Sequence, residues 1–163
     1  METVRRFISF VKTHPNCFER SLEIGHITGS AWLVNRNRTK VLLTHHKKLD
    51  KWLQLGGHAD GQSNILSVAL REAYEESGLE AISPFSKTIF DLDIHRIPKR
   101  GDIKTHFHYD VRFALQVTGS ERFNVSHESN ALSWVPILTL EDRHPDESIL
   151  RMRKKWLTSF NPL

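Results

Sequence analysis

The chain has 163 residues, of which 39% are hydrophobic and 26% charged. That length suits one domain with a real core and is short for two, and the composition excludes a disordered chain. A net charge of +4 and a pI near 9.4 favour anionic ligands in a general way. No apolar run approaches the roughly 18 residues that span a membrane. The opening METVRRFISFVKTH lacks the long apolar core and small-residue cleavage site of a signal peptide. The single cysteine, Cys17, excludes an internal disulfide and fits a reducing compartment, so a cytoplasmic protein is expected.

In chain order, Val4, Phe7, Ile8 and Val11 fall at helical spacing, and Pro15 stops that first helix. HITGSAWLVN and KVLLTHHK are β-rich runs on either side of a polar turn, as in neighbouring antiparallel strands. LGGHADGQSN, rich in glycine and small polar residues, reads as a loop. Residues 64–77 turn helical: Asn64 is an N-cap, Ile65, Val68, Ala69 and Ala73 form an apolar stripe, and Gly78 terminates the helix. KTIFDLDIHRI and HFHYDVRFALQV are strand-like around a PKRGD turn. ALSWVPI is a short strand that Pro136 restricts to an edge or an end. Pro145 opens a last helix, in which Arg151, Arg153, Lys154 and Lys155 lie among Leu150, Met152, Trp156 and Leu157. With no stacking aromatics interleaved, those basic residues read as a solvated face and not as a nucleic-acid surface. The order of elements predicts helices packed on a mixed sheet.

The chemistry concentrates in Arg71-Glu72-Ala73-Tyr74-Glu75-Glu76. Glu75 and Glu76 lie three and four residues beyond Glu72, so all three carboxylates project from one side of a helix. Their mutual repulsion is relieved by a hard divalent cation, magnesium or manganese, which takes carboxylate oxygens and keeps positions for water and phosphate.

Residues 57–63, GHADGQS, then seven residues, then REAYEESGL, resemble the Nudix box, G-x5-E-x7-R-E-U-x-E-E-x-G-U, in every spacing. Ser63 stands where the box has its first glutamate, and Ala73 is small for the aliphatic position. The resemblance extends from WLQLGG before the box to SWVP after it, over about residues 22–160. GGHADG, DLDIH and HFHYDVRF together look like a general bacterial branch of the family. It implies an α/β (α+β) fold, a Nudix-type α/β/α sandwich with a mixed sheet flanked by helices. Residues 1–21 would be a helical extension and 22–163 the domain itself.

The resemblance further implies hydrolysis of a phosphoanhydride in a nucleoside diphosphate linked to another moiety, or in a related compound, with Mg2+ or Mn2+. Glu72 and Glu76 would be the principal metal ligands, Glu75 a third or water-bridged one, and the Gly56 carbonyl would complete the site. Arg71 would orient the glutamates, and Gly57 and Gly61 would let the loop fold tightly beside the phosphates. The general base is a box glutamate or a later one, for which Glu128 is the candidate. Loss of the glutamate at Ser63 leaves a second reading, a nucleotide-binding module with weak turnover; the intact Glu72, Glu75 and Glu76 favour the enzyme. The expected partner is a small phosphorylated molecule, with neither membrane nor nucleic acid, and many members pair as homodimers.

His106 and His108 alternate on a strand and face the same side. With His58 they raise zinc, but such a site needs a further ligand, and Cys17 lies in a distant segment. His58, His106 and His108 are therefore assigned, with Gly57, to the substrate cleft. Cys17 has no catalytic partner, and Trp52 is expected to pack.

Overall fold

A computed structural model describes residues 2–46, 51–124, 131–143 and 145–160. The elements are α1 (Glu2–Thr13), β1 (Gly25–Val34), β2 (Lys40–His46), β3 (Lys51–Leu53), β4 (Leu55–His58) and α2 (Ile65–Ser77), then β5 (Ile82–Pro84), β6 (Asp91–Ile97), β7 (His106–Val117), β8 (Leu132–Pro136), a short 3-10 turn at Leu140–Arg143 and α3 (Glu147–Ser159). One mixed sheet runs β3-β2-β1-β7-β5, with β4 also paired to β1, β6 to β7 and β8 to β2. Its spine is the parallel pair β1–β7, in register from Gly25↔Phe107 to Val34↔Gln116.

Every residue of β1 is buried, as expected of a strand covered on both faces. Alternation sorts its side chains between two cores. Ala31 and Leu33 join Leu42, Phe113 and Leu115 beneath α1 and α2, while Trp32 and Val34 join Val41, Leu43 and Ala114 beneath Met152 and Trp156 of α3. The expected sandwich of helices about a mixed sheet is therefore the observed one.

The structure departs from the sequence reading in four places. Leu55–His58 is a strand, antiparallel to β1 from Thr28↔His58 to Ala31↔Leu55. Its two glycines look like loop residues, yet the backbone ladder holds them because β1 opposes them with Gly29 and Ser30, which leave room for close approach. Residues 82–84 form a short strand on β7 that the sequence pattern does not announce. In α1, Phe7 and Phe10 are buried, and Tyr109 stacks on Phe10 at 3.8 Å between ring centroids. Val4, Ile8 and Val11, which share the helical spacing with Phe7, are exposed.

The fourth departure concerns the basic cluster of α3, which is partly exposed as a solvated face would be, yet three of its four cations are paired. Arg151 donates to Asp91 and Asp93, Lys155 pairs with Asp91, and Arg153 donates to Glu141 and to the Ile137 and Leu138 carbonyls. Asp91 is 2% exposed and faces Arg112, itself 1% exposed, which also donates to Asp110 at 2.7 Å. Charges taken out of water must be paired there, and α3 carries cations because the sheet beneath it carries buried carboxylates.

Arg112→Met should therefore leave Asp110 and Asp91 short of a partner inside the sheet and cost about 3–5 kcal/mol in denaturant unfolding. Arg151→Ala, at a side chain 42% exposed, should cost no more than about 1 kcal/mol. Equal losses would contradict this ranking.

Candidate active site

The carboxylate helix is set by its caps. Asn64 accepts a hydrogen bond from the Ser67 N–H at 3.2 Å, and Gly78, at φ 63°, returns its N–H to the Tyr74 carbonyl at 2.9 Å. Ile65, Val68, Ala69 and Ala73 are buried against the sheet, which turns Glu72, Glu75 and Glu76 toward β4. These three side chains share a cleft of about 560 Å3 with Gly56, Gly57, His58, Asp60, Arg20, His95, His108 and Asp110.

Backbone and carboxylates meet at close range. The Gly56 N–H donates to Glu76 Oε1 at 2.8 Å. A Cβ at Gly57 would stand 2.3 Å from Glu72 Oε2, so only glycine leaves room for that carboxylate. Arg71 donates to Glu72 Oε1 at 2.8 Å and to the His58 carbonyl at 2.8 Å, tying helix to strand. Burial is the largest influence on Glu76, with Glu72 and Glu75 adding repulsion against the Gly56 hydrogen bond, and its carboxyl is pushed up to about 7. Glu76 is thus poorly accommodated as an anion by the protein alone.

This donor set fits a hard divalent cation: carboxylate oxygens on one helical face, next to a glycine backbone that leaves space above it. A cation there would relieve the repulsion among the three glutamates and favour the charged form of Glu76.

The floor is Asp110, 1% exposed, which accepts from Thr28, Ser30, Gln54 and Arg112 and is held as an anion below the usual carboxylate range by Arg112 and these donors against its burial. With every donor accounted for inside the fold, Asp110 braces β1, β7 and the Gln54 segment. Arg20 and Asp60 pair at the rim, closing the loop after β4 onto the segment before β1.

The structure brings Glu72, Glu75, Glu76, Arg71, Gly56, Gly57 and His58 together and sets His108 on the cleft wall. It does not bring His106 into that cleft; this residue lines a neighbouring hollow with His26 and His58. Glu128 lies outside the described residues. Ser63 is exposed and away from the cleft, and Arg71 is held without it. Sequence reasoning passed over His26, Arg20 and the pairing of Asp110, a possible ligand contact by its strand position, with Arg112. His26 and Arg20 come from segments remote from the box; the parallel β1–β7 register places the first and the ion pair with Asp60 the second. Cys17 is buried, its thiol pushed up by that burial, and Trp52 packs beside His45 and Arg143.

A sequence model of the NUDIX domain matches residues 26–155. A NUDIX-family hydrolase from Clostridium perfringens superposes with a TM-score of 0.60 at 27% identity, over 83% of this chain and 98% of that one. The MutT protein from Methanosarcina mazei Go1 gives 0.65 at 16% identity, over 86% and 99%. A C. elegans Ap4A hydrolase gives 0.59 at 16% identity, over 82% and 98%. Below a quarter identity the latter two speak for the fold alone, but the domain match covers most of the chain and includes the carboxylate helix. The capped glutamate helix, seated on a two-glycine strand inside this mixed sheet, belongs to a Nudix pyrophosphohydrolase, and the chain is a member of the Nudix family.

Proposed function

We propose that the protein is a magnesium-dependent hydrolase that cleaves the phosphoanhydride of a nucleoside diphosphate linked to a second moiety, or of a closely related small molecule, in the cytoplasm. The observation that carries this reading is the convergence of Glu72, Glu75 and Glu76 on Gly56 and Gly57 in one open cleft. Glu72 and Glu76 would hold the cation, with the Gly56 carbonyl beside them and Glu75 either a third ligand or reaching it through water. Magnesium, when bound, supplies charge neutralisation on the phosphate oxygens and a more acidic water.

The chain's own residues do the rest. Arg71 fixes the Glu72 carboxylate and the strand end at His58 through two charge-assisted hydrogen bonds. Gly57 keeps the wall flat so that a diphosphate can approach the glutamates. His58 and His108 line the side of the cleft where the remainder of the substrate would lie. A glutamate outside the primary ligand set takes the proton from water, with Glu75 and Glu128 the two candidates. The Ap4A hydrolase and MutT neighbours carry the same fold, which leaves substrate choice to side chains at the cleft rim.

Three measurements bear on this reading. With a panel of nucleoside diphosphate derivatives, turnover should require magnesium and fall by on the order of 100-fold or more in Glu76→Gln. Tight nucleotide binding without turnover would overturn the enzyme reading.

Gly57→Ala should lose about 100-fold in turnover while its thermal unfolding stays near wild type, because the added methyl displaces the end of Glu72 and no buried backbone. A large loss of stability with normal turnover would contradict this.

The third is pH dependence. A carboxyl raised from 4.5 to about 7 holds an extra proton in the folded state across that interval. Its contribution to stability is complete below the unfolded value and is lost as pH rises through the folded one. Without metal, wild type should therefore lose stability relative to Glu76→Gln as pH climbs through that window. The rise in melting temperature caused by magnesium should be larger at about pH 8 than at about pH 6, since binding must displace the proton. A magnesium effect independent of pH would count against Glu76 as ligand.

A further inference from the structure

Behind the cleft wall the sheet gathers histidines. His26 opposes His108 in the parallel β1–β7 register, and His58 ends β4, the strand on the other side of β1. Ring centroids lie 5.0 Å apart for His26–His58, 5.0 Å for His26–His106, 4.9 Å for His26–His108 and 5.1 Å for His106–His108. His26, His58 and His108 each offer a ring nitrogen, all within 4.8 Å of one another. The Nε2 atoms of His106 and His108 are 3.3 Å apart.

His26 is the anomaly. It is 4% exposed, and neither ring nitrogen meets full hydrogen-bond geometry, the Leu22 backbone being the polar group that approaches it. Buried polar groups are rarely held so weakly. An imidazole in that state, set among three others, suits an external partner.

The character of that partner follows from charge. Burial above all, then the neighbouring imidazoles, holds His26 down at about 4 and His108 at about 3. At neutral pH these rings are uncharged and present lone pairs, so they suit a cation and not a phosphate. A set made of neutral nitrogen selects zinc and its neighbours over magnesium. His106 and His95 stand beside this set and outside its converging nitrogens: Nδ1 of His106 lies 2.9 Å from the Lys104 carbonyl, and Nδ1 of His95 faces Asp93.

We propose that His26, His58 and His108 form a tetrahedral site for a zinc-class transition metal, with water in the fourth position, distinct from the carboxylate site on α2. Such a metal joins β1, β4 and β7 at one end. Because His58 directly follows Gly57, it also anchors the strand on which Glu72 and Glu76 rest. Coordination through one ring nitrogen leaves the other edges of His58 and His108 to line the cleft.

The test uses full-length Glu72→Gln/Glu76→Gln protein, stripped of metal and titrated with Co2+, so that the carboxylate site does not contribute. The expected result is one ion per chain with the intense visible bands of tetrahedral cobalt, displaced by Zn2+. Affinity should be weakened on the order of 100-fold by adding His26→Gln or His108→Gln. Should either variant misfold by circular dichroism, X-ray absorption of the zinc-loaded parent decides: a nitrogen-dominated shell at roughly 2.0–2.1 Å with imidazole scattering supports the site. Weak octahedral bands, cobalt binding unchanged in both histidine variants, or an oxygen-rich shell would overturn it.

Discussion

Glu72 sits against the chain at Gly57 only because that residue has no side chain, and one position earlier the Gly56 N–H holds Glu76. This contact between a helix face and a strand backbone is the constraint on which the site depends. It requires β4 to be extended, so that successive residues meet successive turns of the helix. It requires α2 to lie at close range, which Ala69 and Ala73 permit by burying small side chains against the sheet. It also concentrates negative charge where the protein supplies little to oppose it, and the raised carboxyl of Glu76 is the electrostatic signature of that imbalance.

Elsewhere the fold treats charge the opposite way. Asp91 and Asp110 are as deeply buried as any hydrophobic residue, yet each is surrounded by donors: Arg112 within the sheet, Arg151 and Lys155 from α3, and Thr28, Ser30 and Gln54 beneath the cleft. A satisfied network of this kind is rigid, and it lies under the site. The carboxylates of α2, by contrast, face open space. The two sets of acids differ in their surroundings: Asp91 and Asp110 are enclosed by donors, while Glu72, Glu75 and Glu76 line an open cleft.

The net positive charge also changes meaning in three dimensions. In sequence, the cations of the last helix suggest a solvated face; in the fold Arg151 and Lys155 are counter-ions of aspartates on β6. The excess charge is therefore no indication of a nucleic-acid surface on α3, and it leaves Arg20 and Arg71 as the cations at the cleft.

Local chemistry alone determined the carboxylate helix, its two caps, the long strand at residues 106–117 and the family, because each rests on spacing within one segment: three- and four-residue offsets set a helical face, and Asn64 and Gly78 act on neighbouring backbone groups. Local pattern failed where the outcome depends on what lies opposite. The glycines at 56 and 57 read as a loop because their strand partner is some thirty residues away in sequence, and the spacing in α1 left its buried side open because Tyr109 decides which of its faces is covered. The histidines needed tertiary structure most of all. His26, His58, His106 and His108 come from three strands whose adjacency follows from a parallel crossover, and no periodicity within a segment records which strands a sheet brings side by side.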